Sequence, residues 1–170
     1  NKTILEIIVY RLKKSKKISN IIIACSDNHD DQKIISLCKK KNFNYFIGSE
    51  NNVLKRYYDL ANKKNINNIV RITSDCPFID HEIVDKVIDK FLKKKLDYCS
   101  NILPPTYPDG FDAEVFTFKS LKESYLNAKD ENDKEHVTQY MQRNKNFKKY
   151  NVRSRKNFSN LRLTIDENVD

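Results

Sequence analysis

Two aspartates close apolar runs that read as buried strands. Asp75 ends "VRITSD" and is followed at once by Cys76 and Pro77, and Asp166 ends "LRLTID" ahead of Glu167. A carboxylate delivered to a strand end has two ordinary uses. It can satisfy backbone N–H groups in a turn or helix cap, or it can hold a metal. Pro77 fixes the exit from the strand and disfavours helical geometry at Cys76. A pair such as Asp75 and Asp166 on adjacent strand ends would suit one Mg²⁺, which usually takes one or two carboxylates and completes its shell with substrate phosphates.

A second acidic group lies in "YPDGFDAEVF" (107–116), where Asp109, Asp112 and Glu114 surround Gly110, one of 2 glycines in the chain. Carboxylates at i and i+2 on an extended strand share a face. Asp112 and Glu114 could therefore accept hydrogen bonds from sugar hydroxyls together. A Pro-Asp-Gly turn leading into a polar edge strand is the competing reading. His136, in "DKEHVTQY", stands on a helical stretch as a structural histidine or a weak base, and His29 and His81 read as surface residues.

The elements that must position these groups alternate between helix and strand. Apolar spacing predicts helices over 4–15, 30–41, 52–64 and 81–95, with Asp80 as the N-cap of the last and aspartates capping the second. Short runs at 21–25, 44–48, 68–73 and 97–101 read as strands, the first of them covered on both faces. This βα rhythm predicts a mostly parallel sheet. It breaks after residue 101 with the proline-rich "ILPPTYPDG". An alternating strand at "FDAEVFTF", helices over 118–128 and 133–143, and strands at 148–152 and 161–165 follow. No repeat or flexible linker interrupts residues 1–170, so one domain with an appended lobe is expected. In open α/β sheets ligands bind beyond the carboxyl ends of the strands. The segments there are "SDNHDD", "SENN", "SDCP" and "DENVD", oxygen-rich sets that suit a hard cation.

Composition narrows the partners. The 170 residues carry 32 Lys+Arg against 23 Asp+Glu, a formal charge of +9. The basic residues are mostly lysines scattered through the helices. No stripe of aromatics and arginines accompanies them, so a solvated surface is expected rather than a nucleic-acid face. No apolar run approaches the roughly 18 residues of a membrane span. Cys25, Cys38, Cys76 and Cys99 form no CxxC pair and have no zinc-ligand spacing. They read as small buried hydrophobes in a reducing compartment, the cytoplasm. The chain opens at Asn1 and closes at Asp170 in mid-motif, which reads as a fragment of a longer protein.

Taken in order, "GSENNVLKRYYDLA", "VRITSDCPFIDHEIVDKVI", "YPDGFDAEVF", "EHVTQY" and "LRLTIDENVD" resemble the acylneuraminate cytidylyltransferase family, in its spore-coat polysaccharide biosynthesis branch. The resemblance covers essentially the whole chain. It implies an α/β, Rossmann-like nucleotide-diphosphosugar transferase fold: a mostly parallel sheet with a small antiparallel lobe. It also implies transfer of CMP from CTP to an acidic sugar of the nonulosonic type, with Mg²⁺ and release of pyrophosphate. By the same resemblance, Asp75 and Asp166 are the metal ligands, Ser26, Asp27, Ser49 and Arg56 contact the nucleotide, and Asp109, Asp112, Glu114 and His136 line the sugar side. A homodimer is implied too.

Two departures qualify this. The strand and glycine- and arginine-bearing loop with which members open have no counterpart here, so this fragment alone is expected to be inactive. The usual acidic pair after "GSE" is replaced by Asn51 and Asn52. A non-catalytic nucleotide- or partner-binding domain, or a related NTP-sugar pyrophosphorylase or glycosyltransferase, are the alternatives that share this fold logic.

Overall fold

The computed structural model describes residues 2–165. In chain order the elements are α1 (Ile4–Leu12), β1 (Ile22–Ser26), α2 (Gln32–Lys41), β2 (Asn44–Gly48), α3 (Val53–Lys63), β3 (Asn68–Arg71), α4 (His81–Lys94), β4 (Tyr98–Ser100), β5 (Glu114–Thr117), α5 (Phe118–Asn127), α6 (Glu131–His136), α7 (Gln139–Arg143) and β6 (Lys149–Asn151). They fall into two compact units. The first comprises Asn1–Ser19, Val70–Phe116 and Lys148–Asp170, and the second Asn20–Ile69 and Thr117–Phe147.

The first unit is built on a sheet of order β3-β5-β4-β6. β4 runs antiparallel to β5 and parallel to β6. Tyr98, Cys99 and Ser100 of β4 are all buried, as befits a strand with a partner on each side. α4 buries Val84, Val87, Ile88 and Phe91, one apolar stripe at helical spacing. Its start is fixed as the sequence predicts, because the Asp80 carboxylate accepts from the Glu82 and Ile83 N–H groups at 2.7 and 3.3 Å. α1 is tied down at its last turn: Arg11 donates to the carbonyls of Ile79 and Phe78, and Ser15 and Lys16 donate to Asp85.

In the second unit β1 and β2 form a parallel pair whose register runs from Ile22 opposite Asn44 to Ser26 opposite Gly48. α3 is capped by Asn52, which accepts from Lys55 N–H at 2.8 Å. Its Tyr58 ring is stacked between Phe118 and Tyr125 of α5, with centroids 5.8 and 4.4 Å away.

Several expectations are corrected. β1 is not sealed along its length: Ile22, Ile23 and Ala24 are half-buried, and Cys25 and Ser26 alone are buried. A strand paired on one side within a two-stranded sheet leaves more of its surface open. The aspartates before α2 do not cap it. Asp31 turns back instead and accepts from Ser26 N–H at 2.6 Å. The helix expected over 133–143 is broken into α6 and α7. Between them Val137 has φ 62° and ψ −50°, and Thr138 N–H donates to the His136 carbonyl at 2.5 Å. That is a γ-turn, which no helix can pass. It is braced by Asp133, whose two carboxylate oxygens accept from both terminal nitrogens of Arg143.

Residues 161–165 form no strand. Their backbone bonds go alternately to a turn and a loop, leaving an isolated bridge between Asp109 and Arg162. Among the described residues no helix is long and apolar enough to cross a membrane.

Candidate functional site

The acidic residues of the first unit are organised by the extended segment 161–165. Asp109 N–H donates to the Leu161 carbonyl, and Leu163 N–H donates to the Asp109 carbonyl, each at 2.9 Å. Two residues further on, Ile165 N–H donates to the Asp75 carbonyl at 2.9 Å. Successive outward N–H groups of one extended stretch thus hold the Asp109 turn and the Asp75 loop side by side. Gly110 makes this possible. Its φ is +97°, and a Cβ there would lie 2.6 Å from the Leu163 carbonyl oxygen.

Asp75 follows β3 in a turn and is half-buried. Pro77 and Cys76 beside it are buried, and the Cys76 thiol lies 3.1 Å from the Thr73 hydroxyl and donates to Asp75 at 3.5 Å. Burial pushes the Cys76 thiol up to about 12, so it stays protonated. It acts as a weak donor that orients the neighbouring carboxylate. Asp166 lies outside the described residues.

Asp112 is held by a residue that sequence spacing did not single out. Asn101, buried in the first unit, donates from Nδ2 to the Phe111 carbonyl at 2.8 Å and accepts from Ala113 N–H at 2.9 Å. The Asp112 carboxyl is pushed up to about 6, chiefly by burial, then by the charges of Asp109, Glu114 and Asp75, with Arg71 acting in the opposite sense. Glu114 has a different setting. It is 2% exposed, and it accepts from Arg71 at 2.5 Å and from the Tyr98 hydroxyl at 2.6 Å. The shared face expected for Asp112 and Glu114 therefore splits into two environments. Asp112 precedes β5 in an irregular stretch, whereas Glu114 opens β5 and is sealed by β3 and β4 side chains. Asp109 is exposed.

In the second unit the candidates cluster at the carboxyl end of the β1–β2 pair. Ser26 is the last residue of β1, and its hydroxyl accepts from Asn28 N–H at 3.2 Å. Asp27 is exposed. Arg56 of α3 donates to the Ser49 carbonyl at 3.1 Å, just past β2. Asn28 and Glu50, bonded to each other, join the two loops. His136 is exposed at the last residue of α6.

Among the described residues no group of three or more His, Cys, Asp or Glu can hold a metal ion by itself. A divalent cation that brings phosphate oxygens with it would need fewer protein ligands than that, one or two carboxylates. The Asp112 carboxyl nearby is raised by burial first and then by three neighbouring carboxylates, with one guanidinium opposing them, so a cation placed there would lower it.

In the first unit carboxylates stand in the turn past β3 and in the stretch leading into β5, and in the second a guanidinium stands just past β2. The family model described as Cytidylyltransferase matches residues 1–169. An uncharacterized protein of Methanocaldococcus jannaschii is 40% identical over 171 residues, which is 98% of this chain and 68% of that protein. The spore coat polysaccharide biosynthesis protein SpsF of Bacillus subtilis is 32% identical over 143 residues, covering 81% of this chain and 58% of its own length. A solved cytidylyltransferase from Leptospira borgpetersenii superposes with a TM-score of 0.93 at 34% identity, over 98% of this chain and 71% of that one. The chain belongs to the cytidylyltransferase family.

Proposed function

We propose that the protein transfers CMP from CTP to an acidic sugar, releasing pyrophosphate, in the assembly of a surface polysaccharide or glycan. The observation that carries this reading is the backbone link from Ile165 to Asp75, on a segment that also holds Asp109. It sets the residue before Asp166 against the Asp75 loop. In this reading Asp75 and Asp166 hold Mg²⁺, which would neutralise charge developing on the phosphate oxygens. Asp109 and Asp112 accept hydrogen bonds from sugar hydroxyls. Asp112 is the better placed to take a hydroxyl proton, because a carboxyl raised to about 6 is a stronger base near neutrality than an ordinary one. Glu114, committed to Arg71 and Tyr98, keeps β5 in register and adds negative charge beside Asp112. Ser26, Asp27, Ser49 and Arg56 contact the nucleotide, and His136 the sugar. The role in polysaccharide assembly follows the name of the Bacillus subtilis relative.

The test is pyrophosphate release by the full-length protein with CTP, UTP, ATP or GTP and a panel of sugar acids. Release with CTP and at least one sugar acid is expected, and release confined to another nucleotide would replace this reading.

A further inference from the structure

Gly48 and Arg56 are in closer contact than their sequence separation suggests. Gly48 ends β2, and a Cβ placed on it would lie 2.9 Å from Arg56 Cγ and 3.3 Å from Arg56 Cβ, with the Phe46 ring 3.1 Å away. No φ restriction is involved at this position, so the requirement for glycine is room alone. That room is taken by the stem of one arginine, with the Phe46 ring beside it. The guanidinium it carries is incompletely used. One terminal nitrogen donates to the Ser49 carbonyl at 3.1 Å, and the buried Nε has no hydrogen-bond partner. Among the described residues no carboxylate pairs with Arg56. A half-buried guanidinium with a buried, unsatisfied donor is uncommon in a folded chain, because leaving such a donor unpaired is costly. Its place is the carboxyl end of a parallel strand pair, where α/β sheets take their ligands.

We propose that Gly48 is a positioning residue for Arg56: its missing side chain seats the guanidinium that, in the reading above, meets the nucleotide. The inference rests on the nucleotidyltransferase reading and deepens it. Acceptor oxygens for that guanidinium occur on the nucleotide's phosphates and on its pyrimidine carbonyl, and a planar fork of N–H donors fits either. Any side chain at position 48 would push the arginine stem off the strand and misplace the donors, without removing charge or any ligand-contacting group of its own.

The experiment is a double-mutant cycle on the full chain with Gly48→Ala, Arg56→Ala and both together, titrated calorimetrically with CTP, cytidine and pyrophosphate. Each single change is expected to weaken CTP about tenfold or more, the worth of one charge-assisted hydrogen bond, and the double variant to be no weaker than Arg56→Ala. The arm that shows the loss, pyrophosphate or cytidine, identifies which oxygen is met. Gly48→Ala binding CTP as tightly as wild type would overturn the proposal, as would a full additive penalty in the double variant. Coupled losses for pyrophosphate with no binding of CTP would keep the pair and remove the cytidylyltransferase reading. Tight CTP binding with an additive cycle would do the reverse, and binding of none of the three removes both. Thermal melts give a second readout. Gly48→Ala should lower the melting temperature clearly when Arg56 is present and much less beside Arg56→Ala, which clears the opposing Cγ. Equal losses in the two backgrounds would contradict the proposal even if Gly48→Ala folds poorly.

Discussion

The side-chain amide of Asn101 is bonded to the backbone on both sides of Asp112, to the Phe111 carbonyl and the Ala113 N–H. One buried residue thereby fixes an irregular stretch that no strand ladder supports, and with it the direction from which the Asp112 carboxyl is presented. Paired amide bonds of this kind are demanding, since a buried donor or acceptor left without its partner carries a desolvation cost.

Replacing Asn101 by alanine should therefore cost about 2–4 kcal/mol of stability, from two lost bonds and the buried backbone groups they served. Chemical denaturation would measure it. Activity at a temperature where the variant is folded should fall further than the folded fraction explains, because Asp112 loses its frame. A loss under about 0.5 kcal/mol, the size of an ordinary surface change, would show that the bracket is dispensable.

Asp112 gives the protein a defined pH signature. Its carboxyl keeps its proton to about pH 6 in the folded state, whereas the unfolded chain releases it near 3.8. Between those values the native state binds more protons than the unfolded one, so this group makes stability fall as pH rises from about 4 to about 6 and leaves it lowered above that. Asp112→Asn removes the effect. The melting-temperature gap between the variant and wild type should open in favour of the variant across that window and then hold steady. A gap that stays constant from pH 4 to pH 7 would contradict the assigned burial and neighbours. Substituting Asn for Asp75, one of those neighbours, should move the window toward lower pH.

Glu114 should behave as an anchor. Its removal takes away a carboxylate from both Arg71 and Tyr98, and Glu114→Ala is expected to cost about 3–5 kcal/mol, the range for breaking a buried ion pair from one side. Glu114→Gln, which keeps an acceptor for the Tyr98 hydroxyl, should fall between. If the alanine and glutamine variants both melt with wild type while losing sugar affinity, Glu114 is a substrate contact rather than an anchor.

Local signals carried much of the architecture and little of this network. Asp80 as a cap, the stripes of α3 and α4, and β2 at Asn44–Gly48 all follow from residues within a few positions of one another. The cytidylyltransferase kinship, too, was legible from short motifs in order. The partners of Glu114 were not, since Arg71 is 43 residues away and Tyr98 is 16. Period-two alternation placed Asp112 and Glu114 on one face, but β5 starts only at Glu114, so the alternation has no strand to act on before it. The segment 161–165 looked like a strand because its composition is that of one. Its hydrogen bonds are spent on the Asp109 turn and the Asp75 loop instead. The break at Val137 was invisible for the opposite reason, because a valine at positive φ contradicts its own propensity and is held there by the Asp133–Arg143 pair.

In the proposed reaction the carboxylate past β3 serves phosphoryl chemistry on CTP. The most direct test of that role is pyrophosphate release by the full-length protein and its Asp75→Asn variant, in Mg²⁺ with CTP and the best sugar acid from the panel. Release by wild type is expected, with a loss of at least about a hundredfold in the variant and the fold retained by circular dichroism. Equal rates from the two proteins would contradict that role.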